Sequence, residues 1–248
     1  MGERPIFTKQ LGDSFTLVIP DFRQIYNLIN LYMRLLELFC GTKSVGKVFE
    51  SSGYEVVSLD FNKKFNATHT EDILTWDYKV YPPDYFDVIW ASPDCSTWTI
   101  ATSGKYRLIS QPYGLNNEYQ EKATIGNNMI LRVIEILKYF QPPAWFIENP
   151  RAVLQHFPPL KQFISEYNAY SNVVFYANYN NWPFPKPTNI WSNLPLWENE
   201  TKPIMPPDSY YRINNKLYYK AYGAKRSSEN RSKIPPGLIE RLKELIPK

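Results

Sequence analysis

Short apolar runs that end in glycine or polar residues alternate along this chain with stretches of helical periodicity, and few folds accommodate that order. The runs are Leu35–Phe39, Glu55–Phe61, Phe86–Ala91 and Ala144–Ile147. Runs of this length, bounded by turn signals, predict strands buried on both faces. Between them, Val45, Val48 and Phe49 fall on one face of a short helix that Gly53 closes. Met129, Ile130, Val133, Ile134, Leu137 and Phe140 mark a long helix that stops at Pro142-Pro143. A helix over about Leu160–Tyr167 and a strand over Asn172–Tyr176 continue the alternation. The pattern predicts an α/β fold: a Rossmann-like, doubly wound, mostly parallel sheet. Beyond Tyr179 the texture changes to a loop-like NNWPFPKP segment, a short strand at Asn189–Ser192, and a polar, tyrosine-rich stretch. Pro235–Ile246 reads as an amphipathic helix with prolines where a helix start tolerates them.

At 248 residues the chain suits one large domain with a small appendage, and 44% hydrophobic content excludes a mostly disordered protein. No run approaches the ~20 apolar residues of a membrane span. The opening MGERPIFTKQ lacks the apolar core of a secretory signal. Two cysteines, Cys40 and Cys95, cannot build a disulfide framework, which points to a reducing compartment. The expectation is therefore a soluble intracellular protein, in the cytoplasm of a bacterium or virus-infected cell or in a nucleus, with no membrane partner and a monomeric state.

Three strand ends carry chemistry. The first is Phe39-Cys40-Gly41-Thr42-Lys43-Ser44-Val45-Gly46-Lys47-Val48, a strand–glycine–helix cradle that lets backbone N–H groups approach a nucleotide-like ligand. As a phosphate loop it fails at Val48, where a serine or threonine should hold magnesium. It fits an adenosine site better: Asp60 follows Gly41 by 19 residues, near the spacing expected of an acid that binds ribose hydroxyls, and Phe61 is placed to lie against adenine. A ligand-free βα turn is the plain alternative. The second is Ser92-Pro93-Asp94-Cys95, where Cys95 follows an apolar strand among polar neighbours, unlike Cys40 among Leu38, Phe39 and Gly41. A nucleophilic Cys95 needs an activating feature from elsewhere, because Asp94 raises the pKa of a neighbouring thiol. The third is Glu148-Asn149-Pro150, where a glutamate after Trp145-Phe146-Ile147 is a candidate for a raised pKa. In a doubly wound sheet all three ends converge on one edge.

In chain order these residues resemble the cytosine carbon-5 methyltransferase family. Leu38-Phe39-Cys40-Gly41 with Gly46 is similar to its first motif, Leu59-Asp60-Phe61 to its second and Asp72-Ile73 to its third. Ser92-Pro93-Asp94-Cys95 resembles the fourth motif and Glu148-Asn149 the sixth. Lys186–Asn193 resembles the segment after the eighth motif in small phage-type members, and Arg231–Pro235 the start of the ninth. The chain departs from the family in having Asp94 where Pro-Pro-Cys is usual and Pro150 after Glu-Asn. It also has no obvious glutamine and paired arginines of the eighth motif and no recognisable tenth motif. The resemblance implies S-adenosylmethionine as cofactor, held by Phe39, Gly41, Gly46, Asp60, Phe61, Asp72, Ile73 and Pro93, with Asp72 reading the adenine amino group. It implies Cys95 and Glu148 as catalytic residues and assigns no metal. Substrate contacts fall to Asn149, Arg151, Asn180, Lys186, Arg226 and Arg231, with Arg151 offered as compensation near Glu148.

The implied activity is methylation of carbon 5 of a flipped-out cytosine in duplex DNA, as in restriction–modification systems. RNA cytosine methylation and a nucleic-acid-binding relic without catalysis are the alternatives. The implied division is a catalytic domain over 1–193, a target-recognition region over 194–230 and a returning C-terminal helix over 231–248. From Thr201 to Lys233 eight basic residues face two acidic ones, a local charge of +6 that leaves −2 for the rest of a chain at +4. Tyr210, Tyr211, Tyr218, Tyr219 and Tyr222 are interleaved with those cations, a composition suited to phosphate contact and base stacking.

Overall fold

The computed structural model describes residues 8–11, 14–17, 33–100, 102, 106–108, 111–115, 119–179, 184–205, 210–213, 216–219 and 233–247. The chain divides into two compact units, Met1–Met33 and Arg34–Lys248. The first unit contains an antiparallel hairpin, β1 (Thr8–Leu11) with β2 (Ser14–Leu17).

In the second unit the order begins β3 (Arg34–Leu38), α1 (Ser44–Glu50), β4 (Glu55–Leu59), β5 (Val88–Ala91). It continues with β6 (Arg107–Leu108), β7 (Gln111–Leu115), α2 (Gln120–Phe140), β8 (Ala144–Pro150) and α3 (Pro158–Glu166). It ends with β9 (Tyr170–Phe175), β10 (Pro187–Ser192), β11 (Tyr210–Ile213), β12 (Lys216–Tyr219) and α4 (Pro236–Lys243). Six strands form one sheet in the order β4-β3-β5-β8-β10-β9. The pairs β3–β4, β3–β5 and β5–β8 are parallel, whereas β10 runs antiparallel to both neighbours. The chain leaves β3 to one side for β4 and returns to the other for β5, so the ends of β3 and β5 flank a topological switch point, where open α/β sheets bind ligands.

Strand parity assigns each face. Leu36, Leu38, Ile89, Ala91, Trp145 and Ile147 join one buried cluster with Ile130, Val133 and Leu137 of α2 and Leu160 and Phe163 of α3. The intervening residues point to the other face, where Trp90 meets Phe146 at 5.6 Å between ring centroids and Glu37 reaches α1. Both faces of β5 are covered and all four of its residues are buried, as a parallel strand requires. The long helix α2 ends on Gln141 in the left-handed conformation just before Pro142-Pro143, and Pro158 opens α3. Helix α4 buries Leu238, Ile239 and Leu242, and the lead-in Ile234 N–H donates to Ser44 Oγ at the start of α1 (3.3 Å). Its Arg241 reaches Glu200, a carboxylate that also accepts from the Phe175 N–H, Asn178 and Trp197. That network fastens α4 to the end of β9.

The sheet departs from the sequence expectation at β8. The strand continues through Glu148 and Asn149 to Pro150, because β10 pairs along it with Ile190 opposite Glu148. Glu148 therefore belongs to a hydrogen-bonded ladder and not to a loop. The β6–β7 and β11–β12 pairs are antiparallel hairpins outside the main sheet; the second arises in a stretch whose periodicity predicts no element. Among the described residues no helix is long and apolar enough to cross a membrane.

Candidate active site

Between β3 and α1 the chain turns through Phe39, Gly41 and Lys43, all at positive φ (58°, 48° and 55°). Asp60, at the end of β4, holds this turn: its carboxylate accepts from the Gly41 N–H (3.0 Å) and from the Asn62 N–H (2.8 Å). Each carboxylate oxygen keeps a further lone pair for a hydroxyl donor. Beside it Phe61 is 73% exposed, an unusual state for a phenylalanine and a ready stacking face. A small cleft is lined by Phe39, Asp60, Phe61, Asp72 and Ile73 and backed by Met129 of α2. The structure thus brings together five of the eight residues expected at the cofactor. A larger depression of about 550 Å³ lies between α3 and β9 and includes Trp191, on the sheet face opposite to Glu148; none of the expected site residues line it.

Gly41 takes part through the Asp60 bond, but Gly46 has a different duty. A Cβ at position 46 would meet Glu37 Oε2 at 2.6 Å and Val56 Cγ1 at 3.2 Å. The missing side chain therefore makes room for Glu37 and not for a ligand. Glu37 is a buried carboxylate that accepts from the Val45 N–H (3.3 Å) and the Gly46 N–H (3.1 Å), satisfying the start of α1 from the neighbouring strand. Sequence reasoning passed over it, although a lone acid inside Leu35-Leu36-Glu37-Leu38 was a visible signal. Burial drives its pKa from 4.5 up to about 8 against the pull of the two N–H bonds. A carboxyl raised in the folded state keeps a proton that the unfolded chain releases above pH 4.5, so it loses stabilising value as pH rises toward 8. Glu37→Gln is therefore expected to gain stability relative to the parent on the order of 2–4 kcal/mol at pH 9 compared with pH 4.5. Urea unfolding at the two pH values reads the difference. Gly46→Ala must push Glu37 off its two donors and is expected to cost about 1–3 kcal/mol in the same assay.

The cysteine loop is set by β5. Past Ala91, the Ser92 N–H donates to Leu38 O (3.3 Å) and Ser92 Oγ accepts from Trp90 Nε1 (2.8 Å). Pro93 is buried, and its carbonyl accepts from Asn149 Nδ2 at 3.0 Å. Asp94 folds onto its own loop, accepting from the Ser96 N–H (2.9 Å) and Ser96 Oγ (2.6 Å). Cys95 is half-buried at the head of a turn, its carbonyl accepting from the Trp98 and Thr99 N–H groups. Burial pushes its thiol up to about 11, with the negative charges of Glu148 and then Asp94 adding to the rise. The opposing cation is Lys186. Cys40, 4% exposed, is pushed up to about 12 mainly by burial and is the inert small hydrophobe its neighbours predict.

Glu148 is 6% exposed. Its Oε1 accepts from the Tyr176 phenol at 2.8 Å and faces Lys186 Nζ at 4.0 Å, while Lys186 Nζ lies 4.2 Å above the Tyr176 ring. Lys186 sits at φ 37° immediately before Pro187, at the entry to β10, and Tyr176 follows the last residue of β9. Antiparallel pairing of Phe175 with Pro187 brings these two neighbours to the Glu148 end of β8. Burial lowers the Lys186 ammonium pKa and raises the Tyr176 phenol well above its ordinary value.

Two expected substrate contacts fall elsewhere. Asn149 is 1% exposed and its amide ties β8 to the cysteine loop through Pro93, because its position in the ladder turns it to the sheet face opposite to Glu148. Arg151 is exposed and engages Pro187 O through its backbone N–H (2.9 Å); the cation facing Glu148 is Lys186. Asn180, Arg226 and Arg231 lie outside the described residues. Tyr176 is the site residue that sequence reasoning missed, since a tyrosine closing an apolar strand reads as core.

No family model matches the chain. A protein of Frog virus 3 (isolate Goorha) named "Probable DNA (cytosine-5)-methyltransferase" is 32% identical over 165 residues, 65% of this chain and 71% of that protein. The chain belongs to the DNA (cytosine-5)-methyltransferase family. Similar solved structures include the Entamoeba histolytica methyltransferase EhMeth, with TM-score 0.47 and 16% identity over 74% of this chain and 61% of that one. The S. pombe Dnmt2 methyltransferase has TM-score 0.43 and 15% identity over 65% and 49%. The chain thus spans about half to three fifths of the solved structures it matches.

Proposed function

We propose that this cytosine-5 methyltransferase family member methylates carbon 5 of cytosine in DNA, using S-adenosylmethionine. The observation that carries this reading is the convergence of Cys95 and Glu148 at the carboxyl ends of the adjacent parallel strands β5 and β8. They share the sheet edge with the cleft at the end of β4. That cleft offers an exposed aromatic face between two carboxylates, an acceptor set suited to an adenosine: Asp60 accepts from ribose hydroxyls, Asp72 accepts from the amino group, and Phe61 stacks on the ring. When bound there, S-adenosylmethionine supplies an electrophilic methyl group.

Carbon 5 of cytosine is too weak a nucleophile to take that methyl unaided. The Cys95 thiolate adds to carbon 6, forming an S–C bond and placing electron density on carbon 5. Glu148 holds or protonates the ring at N3, so negative charge does not accumulate on the base. After transfer a base removes the carbon-5 proton, the C5–C6 double bond reforms and the thiolate leaves. The target base must first be flipped from the duplex, at a cost of a few kcal/mol. The basic, tyrosine-rich region within 194–230 is the segment best suited to hold the duplex, with 1–193 and 231–248 as the catalytic part.

Incubation with tritiated S-adenosylmethionine and, separately, duplex DNA, single-stranded DNA and tRNA tests this. Label at cytosine carbon 5 of duplex DNA is the expected result. Label in none of them, with cofactor binding intact, overturns the enzymatic reading, and label in tRNA alone replaces DNA by RNA as substrate.

A further inference from the structure

Lys186 and Glu148 form an ion pair that does not close. Their charged atoms stand 4.0 Å apart, although both side chains are largely buried and would gain from direct contact. Tyr176 accounts for the gap. Its phenol donates to Glu148 Oε1, the oxygen nearest the ammonium, at 2.8 Å, and its ring carries the ammonium at 4.2 Å. One fully buried tyrosine therefore binds both members of the pair, the carboxylate at its edge and the cation on its face. Thr188 Oγ1 donates to Lys186 O (3.1 Å), which ties down the backbone that carries the ammonium.

We propose that Tyr176 is a positioning residue that keeps the Lys186 ammonium from collapsing onto Glu148, so that the cation remains shared with the Cys95 thiol. The reading rests on the proposed roles of Cys95 and Glu148. The groups acting on the thiol come from every element packed around it: Asp94 on its own loop, Glu148 on β8, Tyr176 after β9 and Lys186 before β10. Lys186 alone among these favours thiolate. If it were neutralised by a closed pair with Glu148, Cys95 would lose the cation that favours its thiolate. Lys186 opposes, from within the chain, part of the rise that Glu148 and Asp94 cause.

Alkylation of Cys95 by iodoacetamide tests the idea on the intact protein without cofactor or nucleic acid, with Cys40 as a buried internal control. Tyr176→Phe keeps the ring and removes the donor, which frees Glu148 to close on Lys186. Cys95 alkylation at pH 8 is then expected to slow about three- to tenfold, with its pH profile moved upward and Cys40 still protected. Lys186→Met is expected to slow it further. A folded Tyr176→Phe protein with an unchanged Cys95 profile overturns the proposal. If Tyr176→Phe exposes Cys40 and so fails to fold, Lys186→Met decides, since unchanged Cys95 alkylation in that variant equally overturns it. A purely packing role for Tyr176 lowers the melting temperature and leaves the profile in place. Because alkylation requires no methyl transfer, inactivity of the parent protein on DNA counts against the proposed function and leaves this result readable.

Discussion

Cys95→Ala is expected to lower methyl transfer to cytosine by at least ~10³-fold, because the reaction loses the bond that makes carbon 5 nucleophilic. Nothing nearby substitutes for it. Cys40 is the other cysteine, and it lies buried just past the end of β3. The substitution removes a half-buried side chain from the head of a turn whose backbone bonds are independent of sulfur, so its stability cost should stay near 1 kcal/mol. Cofactor affinity should be retained, since the cleft at the end of β4 does not include Cys95. Two measurements separate these effects: single-turnover methylation of duplex DNA, and trapping of a covalent adduct on DNA containing 5-fluorocytosine. Parent protein that traps and variant that does not is the expected pair. A Cys95→Ala protein that still methylates would show that the acceptor atom is not carbon 5.

Much of the sheet and half of the site were legible because both rest on local signals. Buried parallel strands write themselves as continuous apolar runs, and β3, β4 and β5 lie where Leu35–Phe39, Glu55–Phe61 and Phe86–Ala91 place them. Strand ends expose their chemistry in sequence, which is why Asp60, Cys95 and Glu148 were identifiable as candidates. What was not legible depends on pairing between distant segments. Glu148 is in a strand because β10 pairs with it from 42 residues downstream. Lys186 and Tyr176 meet only because β9 and β10 form an antiparallel pair, joined through residues 176–186, much of which reads as loop. Asn149 changes role by strand parity, one residue from Glu148 and on the opposite face. Gly46 illustrates a different failure: a glycine in a ligand-binding pattern is demanded here by a neighbouring carboxylate, which the pattern does not contain.

Glu148→Gln is expected to pull two observables in opposite directions. Methylation should fall by ~10²–10³-fold, the range of a general acid–base group, because an amide cannot deliver a proton to N3 of the ring. The fold should tolerate the change: glutamine keeps the shape, and its carbonyl oxygen still accepts from the Tyr176 phenol. Cys95 should respond the other way. Glu148 is the largest electrostatic contribution, after burial, to the raised thiol, and removing its charge leaves Lys186 with no carboxylate to share. Alkylation of Cys95 at pH 8 should therefore accelerate in the variant, by about three- to tenfold for a thiol pKa lowered by half to one unit. Slower methylation by an enzyme with a more reactive nucleophile isolates the proton chemistry of Glu148 from its electrostatic effect on Cys95. If methylation instead rose with alkylation, Glu148 would be a brake on the thiol and some other group would have to protonate the base.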